Sequence, residues 1–477
     1  MLFSSPFFLF LFLPLVLLIY FLSPKKLKNF VLLIFSLGFY TWGEKELVIL
    51  IILSAFVDFF SGIIISKGKR NLGLTLSILF NLGILFYFKY SNFIFTNLTQ
   101  LLETYDIGSA SAQYFSSIVL PLGISFYTFQ TMSYTIDVYR GHVKANKNFI
   151  DFATYVTLFP QLIAGPIVRY SEVEIELKNR EVTTSKFAEG VERFIIGLTK
   201  KVIIANNCAF LVDGIFNLPV EDISPLMGWV GVFAFGFQVY FDFSGYSDMA
   251  IGLGKMFGFN FPQNFNYPYI AKSIQEFWRR WHITLSRWFK DYLYISLGGN
   301  RKGVLRTYLN LFAVFFLMGL WHGASWNYIL WGCYHGFFIV IEKLGFNKVL
   351  ESVNSKVSLV YTLLIINFSY PIFRCDTLPE AFTYMKNMFN FSATTNYEYL
   401  GFYLNTEIII TLILAIILAT PIHRKITNYL KHLKDINKVP TYNLFVNLKI
   451  ASLFILLLVD YVYISKGAYN PFVYFKF

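Results

Sequence analysis

The feature that most constrains this chain is a succession of apolar runs that continues from its first residues almost to its last. They lie at 2–22, 29–43, 47–66, 71–89, 117–137, 152–168, 191–217, 226–257, 307–342, 357–373, 406–422 and 445–464. Many are close to the ~20 residues with which a helix crosses a hydrocarbon core of about 30 Å. A soluble chain of 477 residues would bury only about three quarters of its surface. That is too little to hide 56% hydrophobic and 20% aromatic side chains. Only 14% of the residues are charged, against about 25% in soluble domains. The sequence predicts an all-α integral membrane protein of about 11–12 transmembrane or re-entrant helices. Three cysteines, Cys208, Cys333 and Cys375, exclude a disulfide scaffold.

Lys and Arg exceed Asp and Glu by 40 to 28, a formal charge of +12. In a soluble protein this would suggest nucleic acid. Here it follows the positive-inside bias of cytoplasmic loops, and no nucleic-acid partner is expected. The connections at 23–28, 67–70, 140–147 and 423–438 are basic, whereas 90–116 (Glu103, Asp106) and 219–225 (Glu221, Asp222) are acidic or neutral. Assigning the basic set to the cytoplasm gives a multi-pass protein of the cell (inner) membrane with both termini extracytoplasmic. The first run lacks a preceding positive charge and a small-residue cleavage site, and Lys25, Lys26 and Lys28 follow it. It reads as a first transmembrane helix, not a signal peptide. The run at 152–168 contains Pro160, Gly165 and Pro166 and reads as re-entrant, because broken backbone at membrane depth survives only inside protein or beside water. The run at 307–342 is long enough for a hairpin. Without internal repeats or a polar linker, residues 1–470 form a single membrane domain followed by a short tail, 471–477.

Polar groups inside apolar runs are costly and therefore candidates for function. Asp242 and Asp248 lie in one such run, six residues and about 240° apart on a regular helix. They are expected to bridge neighbouring helices, not to pair as acid and base. In the segment 275–292, Phe277, Trp281, Leu285, Trp288 and Tyr292 recur every three or four residues, interleaved with Arg279, Arg280, Arg287 and Lys290. This predicts a basic amphipathic helix at the membrane interface, able to hold anionic lipid or a nucleotide-like phosphate. His282 lies in its middle. His322 ends an apolar run between Gly319 and Gly323 with Trp321 beside it, and His335 follows. Such histidines can serve as bases, proton relays, or haem or metal ligands. No HExxH, CxxC, GxSxG, P-loop or dinucleotide fingerprint occurs, so no metal is expected and hydrolase and nucleotidase readings lose ground. A transporter or flippase using Asp242, Asp248 and the histidines as a proton relay is the alternative class.

The run Tyr240–Gly252, the segment Phe277–Tyr294 and Trp321-His322-Gly323 together resemble the membrane-bound O-acyltransferase family. The likeness is to its bacterial branch that O-acetylates polysaccharides such as alginate and peptidoglycan, with relatives in teichoic-acid D-alanylation. It is dense from Leu120 to Glu342, including Pro160–Ile167, and diffuse before 100 and between 350 and 440. The resemblance implies a ring of helices around a trans-bilayer tunnel, with a cytoplasmic donor mouth and an outer funnel. It implies that His322 is the catalytic base and His282 the second histidine, orienting or polarising the donor. Acetyl-CoA would be that donor, its phosphates drawn to Arg279, Arg280 and Arg287. The expected acceptor is a cell-surface glycan, peptidoglycan first, reached with an extracytoplasmic SGNH-type partner transferase.

The chain closes with Pro471-Phe472-Val473-Tyr474-Phe475-Lys476-Phe477. Phe472-x-Tyr474-Phe475 resembles the C-terminal motif of the small partner peptide in D-alanylation, whose tyrosine carries the acyl group. The resemblance implies a carrier role for Tyr474. Simple anchoring of the tail by its aromatics is the other reading.

Overall fold

A computed structural model describes residues 1–104, 118–392, 394–422, 424–426, 428–429, 439–467 and 470–471. The described residues form helices and irregular segments without a strand. Eight helical runs among them are long and apolar enough to cross a membrane, and a ninth forms if the bent pair Tyr397–Tyr403 and Thr406–Leu418 is one span. The expected 11–12 elements include three that are shorter or broken: Phe8–Leu22, Ile124–Arg140, and the pair Phe149–Thr157 and Phe159–Leu162. The first long run, Lys25–Ser66, is interrupted at Lys45, whose φ is 48°. The two expected segments at 29–43 and 47–66 are its two halves. Apolar side chains such as Leu22, Leu79, Leu305 and Phe454 stand exposed on the outer faces, as a hydrocarbon solvent permits and water does not.

The pair with the most extensive contact, Thr184–Thr199 on Pro225–Met256, is joined through two glycine pairs. A Cβ on Gly197 would lie 2.6 Å from the Gly245 carbonyl, and one on Gly190 would lie 2.7 Å from that of Gly252. Small residues of this kind let two backbones touch where lipid supplies no hydrophobic drive. Asp242 and Asp248 then bridge as expected. Asp248 accepts from Arg193 at 2.8 Å and Lys200 at 2.7 Å, and Asp242 pairs with Lys201 at 2.7 Å. Both carboxylates are thus tied to cations of the neighbouring helical run.

The interior is filled by the irregular parts of the chain. Ile124–Arg140 is buried along most of its length and packs on Val48–Ser66 and Arg70–Leu85. Two of its threonines are matched there: Thr131 donates to Asn81, and Thr135 joins Ser77 and Asn81 around the fully buried Asp58. The re-entrant segment behaves as its prolines predict. Every residue from Phe152 to Val168 is buried, with the helix broken between Thr157 and Phe159.

Candidate active site

The hairpin expected at 307–342 is present as Val304–His322 and Trp326–Ile341. Its helices cross at Gly319 and Gly332, where a Cβ would lie 2.3 Å from the Tyr328 carbonyl and 2.4 Å from that of Phe315. His322 is the last residue of the first helix and is 5% exposed. The final carbonyls of a helix have no partner within it. Here they are met from the π-helix Phe86–Tyr90. The Lys89 ammonium donates to the carbonyls of Trp321 and, at 3.4 Å, of His322, and to Ser125 Oγ at 3.1 Å. Tyr90 donates to the Leu320 carbonyl at 2.9 Å. A buried cation at a helix C-terminus also suits the dipole.

The His282 segment differs from the continuous amphipathic helix expected over 275–292. It is two short helices, Ile274–Arg280 and Ile283–Trp288, followed by a π-helix at Phe289–Tyr294. The break falls on Trp281, which is extended, and His282, which is left-handed at φ 42° and ψ 55°. A left-handed histidine costs energy and persists only where its surroundings impose it. The stretch 264–266 does so. Ile283 N–H donates to the Asn264 carbonyl at 2.9 Å, and Asn266 N–H to that of Arg280 at 2.9 Å. Glu342 holds the front of the segment by accepting from Ile274 and Gln275 N–H. Phe277, Trp281, Leu285, Trp288 and Tyr292 are consequently buried in protein; Trp288 stacks on Phe129 at 3.7 Å.

His282 is fully buried, with Nδ1 3.1 Å from Asn264 Oδ1. That oxygen also accepts from Thr284 N–H at 3.2 Å and Thr284 Oγ1 at 2.9 Å. Since it only accepts, Nδ1 must carry the proton, and Nε2 of the neutral ring carries the lone pair. Burial, and after it the neighbouring His322, hold the His282 pKa well below the ordinary imidazole value. The ring is a neutral proton acceptor on its Nε2 side.

Trp321 stands between the two histidines, its ring 6.0 Å from His282 and 5.0 Å from His322. A narrow cavity runs past His322, lined also by Phe243, Trp281, Phe373, Ser369 and His335. Phe243 sits edge-on to His282 at 4.7 Å. Residues that are remote in sequence thus form one chamber containing His322 and His335, with His282 against its Phe243 wall. The sequence marks His335 as a buried-run histidine but assigns it to no site. Lys89, Asn264 and Glu342 had not been singled out. Lys89 could have been found as a charge at the end of the apolar run 71–89, the signal that drew attention to Asp242.

The three arginines separate. Arg280 is engaged by Glu276 at 2.7 Å and by the Asn266 carbonyl at 3.1 Å, a structural role. Arg287 is half exposed and pairs with Glu172 at 3.1 Å; Arg279 is exposed. Tyr474 lies outside the described residues.

The fold and site define a helical integral membrane protein with buried imidazoles gathered in an aromatic chamber. Residues 74–368 match the membrane-bound O-acyltransferase family, and the chain belongs to it. It is 46% identical over 399 residues to a probable alginate O-acetylase of Pseudomonas aeruginosa, spanning 82% of this chain and 75% of that one. Identity to a probable alginate O-acetylase of Pseudomonas putida is 40% over 503 residues, covering both chains completely. A peptidoglycan O-acetyltransferase of Helicobacter pylori is 37% identical over 429 residues, with 81% and 80% coverage. The protein is therefore an O-acyltransferase of the membrane.

Proposed function

We propose that this enzyme takes acetyl from cytoplasmic acetyl-CoA and passes it, through the histidine chamber, to O-acetylation of a cell-surface polysaccharide. The chain lies in the inner membrane with both termini extracytoplasmic, and peptidoglycan is the acceptor to assay first, alginate second. The observation that carries this reading is the convergence of His322 and His282 about Trp321, inside a body whose outer faces are apolar. His322 is the general base, a contribution typically worth about 10²–10⁴-fold. A neutral Nε2 lone pair cannot donate to a thioester oxygen, so His282 orients a hydroxyl and does not polarise the carbonyl. Arg279 and Arg287 attract the CoA phosphates through charge-assisted contacts in this reading.

The acetyl group travels on Tyr474 in this reading. His322 removes the phenol proton as the oxygen attacks the thioester carbonyl. The C–S bond breaks, and CoA leaves as the thiol with that proton. An acceptor hydroxyl, presented by an SGNH-type partner, then attacks the acetyl-tyrosine ester, and the phenol regains its proton. An aryl ester is a good donor for such a second transfer. Support comes from the described end of the chain: Asn470 bonds to Asn206 and Ser4, and the Pro471 carbonyl accepts from Lys201. His322→Ala should remove ester-linked acetyl from the surface polymer at unchanged membrane abundance. Wild-type acetylation in that variant would refute the proposal.

A further inference from the structure

The Lys201–Asp242 ion pair is almost fully buried, with both side chains 3% exposed. Its ammonium does a second thing: it donates to the carbonyl of Pro471, at the other end of the chain. One residue earlier, the Asn470 side chain is bound twice. Its Oδ1 accepts from Asn206 Nδ2 at 3.2 Å, and its Nδ2 donates to Ser4 Oγ at 3.0 Å. A buried ion pair repays its desolvation only when the remaining donors are satisfied. A proline carbonyl is well suited to that, because the residue brings no N–H of its own into the buried space.

The position of this contact matters. Asp242 is followed on its helix by Phe243, the residue that meets His282 at 4.7 Å and lines the cavity of His322. We propose that Lys201, Asp242 and Asn206 form a seat for the backbone and side chain of Asn470–Pro471. The seat fixes the point from which residues 472–477 start. Its purpose rests on the acyl-carrier reading above. A residue three positions beyond Pro471 can reach about 10 Å at about 3.3 Å per residue. Lys201, Asp242, Asn206 and Asn470 are positioning residues in this scheme, since none touches the acetyl group.

The test uses the full chain in nanodiscs, treated with carboxypeptidase Y and followed by intact mass, with acetyl transfer measured in parallel. In the wild type, trimming halts before Asn470. Two variants release the seat. Asn470→Ala removes only the tail's own amide, and Lys201→Met with Asp242→Leu removes both buried charges together, leaving neither unpaired. In both, trimming past residue 470 should quicken by about tenfold, the size of one lost buried contact, and acetyl transfer should fall with it. His322→Ala should be inactive yet trim as the wild type does. Trimming past 470 at the same rate in the wild type and both variants would overturn the seat, whatever transfer does. Faster trimming in both variants, with normal transfer by Tyr474→Phe, would keep the seat and discard the carrier.

Discussion

The Lys89 ammonium lies 3.4 Å from the main-chain oxygen of His322 and donates to the carbonyl before it, at the point where that helix ends. A side chain from another span thus closes the helix that presents the proposed base. The direction of the imidazole depends on where that last turn stops.

Lys89→Met should therefore lower kcat by about 10²-fold, the scale of a misplacement of roughly 1 Å, while the KM for acetyl-CoA changes little. Equal losses in kcat and in the amount of folded protein would reduce Lys89 to a packing role. The check is steady-state kinetics on protein normalised by size-exclusion chromatography.

Asn264 fixes the tautomer of His282 and should show it in the pH profile. Asn264→Leu leaves Nδ1 without an acceptor and should cost at least about tenfold in turnover. Asn264→Asp keeps the acceptor oxygen and adds a negative charge, which stabilises the imidazolium and raises the His282 pKa. Its acid limb should move to higher pH, because the ring protonates sooner as pH falls. A profile identical to wild type in Asn264→Asp would show that His282 does not titrate in the reaction.

The arginines should divide as their contacts do. Arg279→Gln with Arg287→Gln should raise the KM for acetyl-CoA, with the salt dependence that screened phosphate contacts show. Arg280→Gln should mainly lower thermal stability, since Glu276 and the Asn266 carbonyl lose their partner. An unchanged donor KM in the double variant would leave these residues as lipid contacts.

Much of this was legible in the sequence where one local signal decided the outcome. The hairpin at 307–342 followed from run length, and Pro160, Gly165 and Pro166 announced a broken, buried segment. Asp242 and Asp248 bridge to a neighbouring helical run, as expected, and their angular separation spoke against their pairing as acid and base. The break at His282 was not legible. Three- and four-residue spacing of Phe277, Trp281, Leu285 and Trp288 is satisfied equally by one helix and by two short ones. Pairing with Asn264 and Asn266, remote from that window, selects the second. The role of Arg280 was hidden for the same reason: a partner carbonyl at Asn266 leaves no mark on a charge pattern.

In the proposed reaction acetyl crosses this protein as an ester of Tyr474, formed at the histidine chamber. The most direct measurement is mass spectrometry of the C-terminal peptide after purified protein meets acetyl-CoA without an acceptor. One added acetyl group on Tyr474 is expected in the wild type, sensitive to hydroxylamine and absent from His322→Ala and Tyr474→Phe. An unmodified Tyr474 in wild-type protein that still transfers acetyl to its acceptor, with Tyr474→Phe equally active, would contradict it.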